Sequence, residues 1–154
     1  MLRPLPEYQM IETELIPVLY GLPPKIIAID GLNGTGKTTL ARYLSHRFNC
    51  SLIETDLFMS KAAVDYRFEE MKKNVVSRIV RTKRPIFIEG VAVLRTLSKM
   101  SLVPDFHIYW ENVDQKDLGL CRVDRLGVEL LKYRKEFTPV LKTNLHVKAI
   151  VKVE

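Results

Sequence analysis

The nine residues GLNGTGKTT, positions 31–39, restrict this chain more than any other stretch. Three glycines and a lysine separate the apolar run KIIAID from the segment LARYLSHRF. KIIAID is short, apolar and β-branched, the pattern of a parallel strand buried on both faces. Beyond the glycines, Leu40, Leu44 and Phe48 recur at helical spacing and predict a helix over Lys37–Arg47. Gly31, Gly36, Lys37 and Thr38 together match G-x-x-x-x-G-K-[ST]. At average composition a chain of this length meets that pattern by chance with a probability on the order of half a per cent. The strand before it and the helix after it are the context the pattern requires. Glycines let backbone N–H groups approach an anion with no Cβ in the way, and the helix N-terminus adds partial positive charge. Lys37 supplies a full charge toward a β/γ-phosphate bridge, and the Thr38 hydroxyl suits Mg²⁺. The loop is built to bind a nucleotide.

Strand and helix patterns then alternate to the end of the chain. SLIET reads as a second strand, and Phe68, Met71, Val75, Ile79 and Val80 give one apolar face to a helix of about Val64–Thr82. PIFIEG is a third strand with VAVLRTLSKM as a helix behind it, and DFHIYW is a fourth strand. A long helical stretch over 114–137, with a break expected near Gly127, leads past Pro139 to VKAIVKV as a fifth strand. Such alternation means βαβ units, hence a parallel five-stranded sheet with helices on both faces. Residues 1–24 carry five prolines and read as an irregular N-terminal arm with at most one short helix around Glu7–Leu15. Residues 25–154 read as a single nucleotide-binding domain.

At 154 residues one core suffices. No apolar run approaches membrane-spanning length and MLRPLPEYQM has no signal-like apolar region, so a cytoplasmic location is expected. Cys50 and Cys121 read as reduced thiols rather than a disulfide framework. The net charge of +6 calls for an anionic partner. The basic residues are scattered without interleaved aromatics, which favours a small polyphosphate over nucleic acid. His46, His107 and His146 have no metal-ligand spacing and read as packing or surface residues. The sequence leaves open whether the chain forms a homo-oligomer.

Ligands of open parallel sheets sit beyond the carboxyl ends of the strands. Strand two runs into Thr55 and Asp56 there, and strand three ends at Glu89-Gly90. Two carboxylates thus reach the edge where a γ-phosphate would lie, able to hold Mg²⁺ or to accept the proton of an attacking hydroxyl. Arg122 and Arg125 lie one turn apart on one helical face, where guanidinium groups could meet transferring phosphoryl oxygens.

These residues resemble a known family. AIDGLNGTGKTTLARYL, LIETDLF and PIFIEGVAVL are similar to the first strand-loop-helix, the D-x-F-Y segment and the Glu-Gly strand of P-loop kinases of the uridine kinase and phosphoribulokinase type. LCRVDR loosely resembles the arginine-bearing lid of that family, and the tail FTPVL…HVKAIVKV its closing helix and strand. The resemblance implies a P-loop NTPase fold, three layers α/β/α, with sheet order 2-3-1-4-5. It implies ATP and Mg²⁺ as cofactors, with Gly31, Asn33, Gly34, Thr35, Gly36, Lys37, Thr38 and Thr39 around the phosphates. Thr38 and Glu89, with Asp56 as a neighbour, would hold the metal. Asp56 would be the base, and Lys37, Arg122 and Arg125 would complete the catalytic set. Met59 departs from the family, which has Tyr there, and the segment between Asp56 and Glu89 is too short for the nucleoside-binding elements of uridine kinases. The reading that follows is a kinase acting on a small-molecule hydroxyl. Its alternatives are a nucleotide-hydrolysing protein and a nucleotide-binding module without an acceptor. No N-K-x-D signature supports a guanine-nucleotide switch.

Overall fold

The computed structural model of the chain describes residues 4–59, 66–114 and 125–151. Five strands form one sheet: β1 (Ile26–Asp30), β2 (Ser51–Glu54), β3 (Ile86–Gly90), β4 (Phe106–Asn112) and β5 (Leu145–Ala149). Their order is β2-β3-β1-β4-β5, and every pairing is parallel. β1 is central, and all five of its residues are buried, as an unbroken β-branched run requires when helices cover both faces.

The helices are α1 (Pro6–Leu19), α2 (Lys37–Phe48), α3 (Phe68–Val76), α4 (Val93–Lys99), α5 (Arg125–Phe137) and α6 (Pro139–Lys142). Side chains of β1 alternate between two cores. Ile27 and Ile29 pack with Leu40 and Leu44 of α2 and with α1. Ile26 and Ala28 pack with Met71 and Val75 of α3 and with Val93 and Leu97 of α4. This is the three-layer arrangement expected from the alternation.

Three local expectations are corrected. The proline-rich start holds a 14-residue helix, longer than the one short helix expected around Glu7–Leu15. Tyr8, Ile11, Leu15 and Leu19 of α1 are all buried at helical spacing. Burying each such side chain yields roughly 1.5–3 kcal/mol, enough to carry the helix past Pro17. The helix α5 is continuous through Gly127, which is buried within it, so packing outweighs the poor helical propensity of glycine. β5 starts and ends earlier than the VKAIVKV run. Beyond it, Asn112 grips Val151 by two side-chain hydrogen bonds of 3.2 Å, to its carbonyl and from its N–H, in place of a strand ladder.

Two other expectations meet the edges of the description. The helix expected over Val64–Thr82 is seen from Phe68, and its last turn, Ser77–Arg81, widens to π geometry. Cys121 lies outside the described residues, and Cys50 is a free, half-buried thiol. Among the described residues no helix is long and apolar enough to cross a membrane.

Candidate functional site

The carboxyl edge of the sheet gathers the site. Residues Gly31 to Gly36 turn the chain from β1 into α2, with Gly34 at φ 72° and Gly36 at φ 89°, left-handed values that glycine adopts without strain. Gly36 is also the N-cap of α2. At Gly31 the requirement is space: a Cβ there would collide with the carbonyl oxygen of Trp110 at the end of β4. Trp110 in turn donates its indole N–H to the Thr35 carbonyl at 2.8 Å. One buried aromatic therefore shapes both ends of the loop, and it is itself backed by Tyr8 of α1 at 5.7 Å between ring centroids.

Lys37, first residue of α2, is buried, and its Nζ donates to the Leu32 carbonyl at 3.3 Å. Burial pulls its ammonium below the ordinary lysine range, opposed by the nearby carboxylates Glu89, Asp56 and Asp30. Next to it, Thr38 Oγ1 donates to Glu89 Oε1 at 3.1 Å. The Glu89 carboxyl titrates above its ordinary range because it is buried, and Asp56 and Glu54 push it the same way against Lys37 and Thr38. Asp56 stands exposed in a tight 3₁₀ turn, Thr55–Phe58, two residues beyond the end of β2 at Glu54, which pairs with Glu89.

Lys37, Thr38, Asp56 and Glu89 are therefore brought to one edge, as the sequence predicts. Arg122 lies outside the described residues. Arg125 begins α5 by its backbone, and its side chain lies outside the description as well. Asn33 and Thr39 flank the loop and the first turn of α2. Sequence reasoning missed Trp110, Asp30 and Tyr66. The acid closing the apolar run KIIAID was the available signal for Asp30, since carboxylates are rarely fully buried without partners. Tyr66 is bridged to Met59 across the residues between them. Its phenol is lifted above its ordinary range by burial first and then by the field of Asp56.

Thr38 and Glu89 offer hard oxygen donors. Among the described residues no group of three or more His, Cys, Asp or Glu is arranged to hold a metal. A small donor set of hydroxyl and carboxylate fits Mg²⁺, which keeps waters and substrate phosphates as its other ligands. The residues fit that ion and not an all-protein cage.

A raised Glu89 carries a consequence for stability. Its ionised form is less favoured in the fold than in the unfolded chain, so at neutral pH it subtracts stability. That penalty disappears as pH falls below the unfolded value. Glu89→Gln is expected to raise the melting temperature at pH 8 and to leave it unchanged near pH 4. The same variant should lose the magnesium-dependent part of nucleotide affinity in calorimetric titrations. A melting temperature lowered most at pH 8 would contradict the assignment of burial as the dominant cause.

No protein-family model matches the chain, and no curated protein matches it in sequence. Solved structures do match its fold. A structure described as a possible uridine kinase from Bacillus stearothermophilus superposes with a TM-score of 0.61 at 15% identity, covering 91% of this chain and 97% of that one. A shikimate kinase from Acinetobacter baumannii, in complex with shikimate, gives 0.49 at 16% identity over 88% of both chains. A gluconokinase from Sinorhizobium meliloti 1021 gives 0.49 at 13% identity over 85% of both. With a five-stranded parallel sheet in the order 2-3-1-4-5 and a glycine loop between its central strand and α2, the chain has the P-loop kinase fold.

Proposed function

We propose that the chain is a cytoplasmic, Mg·ATP-dependent kinase that transfers the γ-phosphoryl group to a hydroxyl of a small molecule. The observation that carries this reading is the hydrogen bond from Thr38 to Glu89 at the foot of the phosphate loop, with Asp56 beside it on the same sheet edge. In this reading the loop N–H groups and Lys37 hold the phosphates, and Thr39 adds a contact from the first turn of α2. Thr38 and Glu89 hold magnesium, which when bound neutralises the charge that develops on the phosphates. Asp56 orients the acceptor hydroxyl and takes its proton, its exposure leaving room for a substrate to reach it. Arg122 and Arg125 would complete the catalytic set, as the family resemblance implies. The shared fold with a possible uridine kinase supports a small-molecule acceptor. Its low identity leaves the acceptor to be chosen by experiment.

The second reading is a nucleotide-binding or nucleotide-hydrolysing protein without an acceptor. It is favoured by how little chain lies between Asp56 and Glu89, where α3 and its π turn take up nearly half the length. ADP release measured over nucleosides, sugars, vitamin alcohols and pantothenate-like compounds separates the two. Release that requires one added alcohol is the expected result. Equal release with every acceptor and with none indicates hydrolysis, and nucleotide binding without turnover indicates a module.

A further inference from the structure

Behind the phosphate loop, on the sheet face covered by α4 and α5, a carboxylate is buried to 1% exposure. It belongs to Asp30, the last residue of β1. Its Oδ1 accepts the Gly31 N–H at 2.9 Å. Its Oδ2 accepts the Tyr133 hydroxyl at 2.5 Å and faces His107 Nε2 at 3.2 Å. His107 Nδ1 is buried with no hydrogen-bond partner among the described residues, so the tautomer carrying its proton on Nε2 is the one that serves Asp30. Tyr133 sits on α5 and also accepts the Leu94 N–H of α4 at 3.3 Å. Arg95 lies over its ring at 5.6 Å and pairs with Glu129 at 3.0 Å. Three donors thus converge on one buried acid, and two of them come from elements distant in sequence.

A buried acidic side chain of this kind contributes little net stability compared with an apolar core, even when its partners are good. Its place immediately behind an anion site is electrostatically unfavourable for that site. What the carboxylate does provide is a fixed geometry. Gly31 is the residue at which the chain leaves β1, and Asp30 holds its N–H from one side while the Trp110 carbonyl crowds it from the other.

On the nucleotide-binding reading of this loop, on which the inference rests, we propose that Asp30 is a positioning residue for the phosphate loop, held by Tyr133 and His107, and that it carries the placement of α5 into Gly31. Asp30 touches neither phosphate nor acceptor. It acts through the backbone of Gly31.

The test measures affinity rather than turnover. The chain's single tryptophan, Trp110, contacts Thr35 and reports on the loop. Its emission and calorimetry are used to titrate Mg·ADP and, separately, inorganic tripolyphosphate into the parent protein, Tyr133→Phe, Asp30→Asn and Lys37→Met, each well below its own melting temperature. Tyr133→Phe keeps the ring and removes one hydrogen bond to a charged group. It is expected to weaken both probes by about 3- to 10-fold, and Asp30→Asn by more than about tenfold. A role confined to stability would lower melting temperatures and leave both affinities alone. Parent-like binding within twofold in Tyr133→Phe and Asp30→Asn, with Lys37→Met defective, overturns the positioning role while leaving the nucleotide reading in place. Parent protein that takes up neither probe, or Lys37→Met that binds like the parent, overturns the nucleotide reading and the positioning role with it.

Discussion

Asp56→Asn is expected to bind Mg·nucleotide as the parent does and to lose acceptor phosphorylation by about 10²- to 10⁴-fold, the range over which a positioned general base contributes. The geometry makes this variant informative. Asp56 is exposed in its 3₁₀ turn, so replacing its carboxylate by an isosteric amide removes no buried partner. Surface changes of that kind stay within about 0.5 kcal/mol of parent stability. A lost rate cannot then be blamed on a lost fold. The discriminating measurement pairs a calorimetric titration of Mg·ATP with a rate of acceptor phosphorylation on the same preparation. Asn at this position with undiminished transfer would remove Asp56 from the reaction. A loss of binding equal to the loss of rate would make it a metal neighbour instead of a base. Acidification gives a second view of the same edge. Glu89 titrates above the ordinary carboxylate value of 4.5, so magnesium-dependent affinity should begin to fall at a pH above that value.

Lys37→Met is expected to reduce nucleotide affinity by at least about 10²-fold, because a charge-assisted contact to the phosphates is replaced by a thioether. The fold should tolerate the change. The ammonium is buried, and burial outweighs the attraction of Glu89, Asp56 and Asp30. A base whose folded-state value is depressed subtracts stability wherever it is charged in the unfolded chain, which includes neutral pH. Methionine keeps most of the apolar stem and removes that penalty. Unchanged or higher melting temperature together with lost binding is the predicted pair of results. Lost binding accompanied by a collapsed melting temperature would instead point to a structural lysine.

The residues proposed for the phosphate chemistry stand out in the sequence because their spacing is set by local geometry. GLNGTGKTT lies between an all-apolar run and a 3.6-periodic one, so its place at a strand-to-helix turn follows from the chain alone. Asp56 and Glu89 were found by asking which residues end strands, a question that periodicity answers. Sheet order came through resemblance, since no local pattern says that β1 pairs with both β3 and β4. Asp30, His107 and Tyr133 could not be joined in that way. Their contact depends on α5 crossing the sheet over β1 and β4, and nothing near Tyr133 in sequence names a partner on β1. Trp110 looked like an ordinary strand residue, and only the crossing of β4 behind the loop gives its indole N–H a carbonyl to meet. The proline-rich start misled for the opposite reason. Local signals there, Pro17 above all, argue against a helix this long, and burial of Ile11, Leu15 and Leu19 against α2 and the sheet overrides them.

The clamp made by Trp110 has a consequence for the order in which the molecule takes shape. Synthesis delivers α1, β1 and the glycine loop first, yet the indole that fixes the loop's curvature belongs to a strand that emerges only at Phe106–Asn112. β1 likewise waits for Ile86 and Phe106 before either of its edges is paired. Contacts so distant along the chain close slowly, because their loop entropy is spent before they return any energy. A nascent chain cut short before β4 would therefore carry the complete glycine-loop sequence without the contact that fixes its curvature, and a formed loop arrives late, with β4.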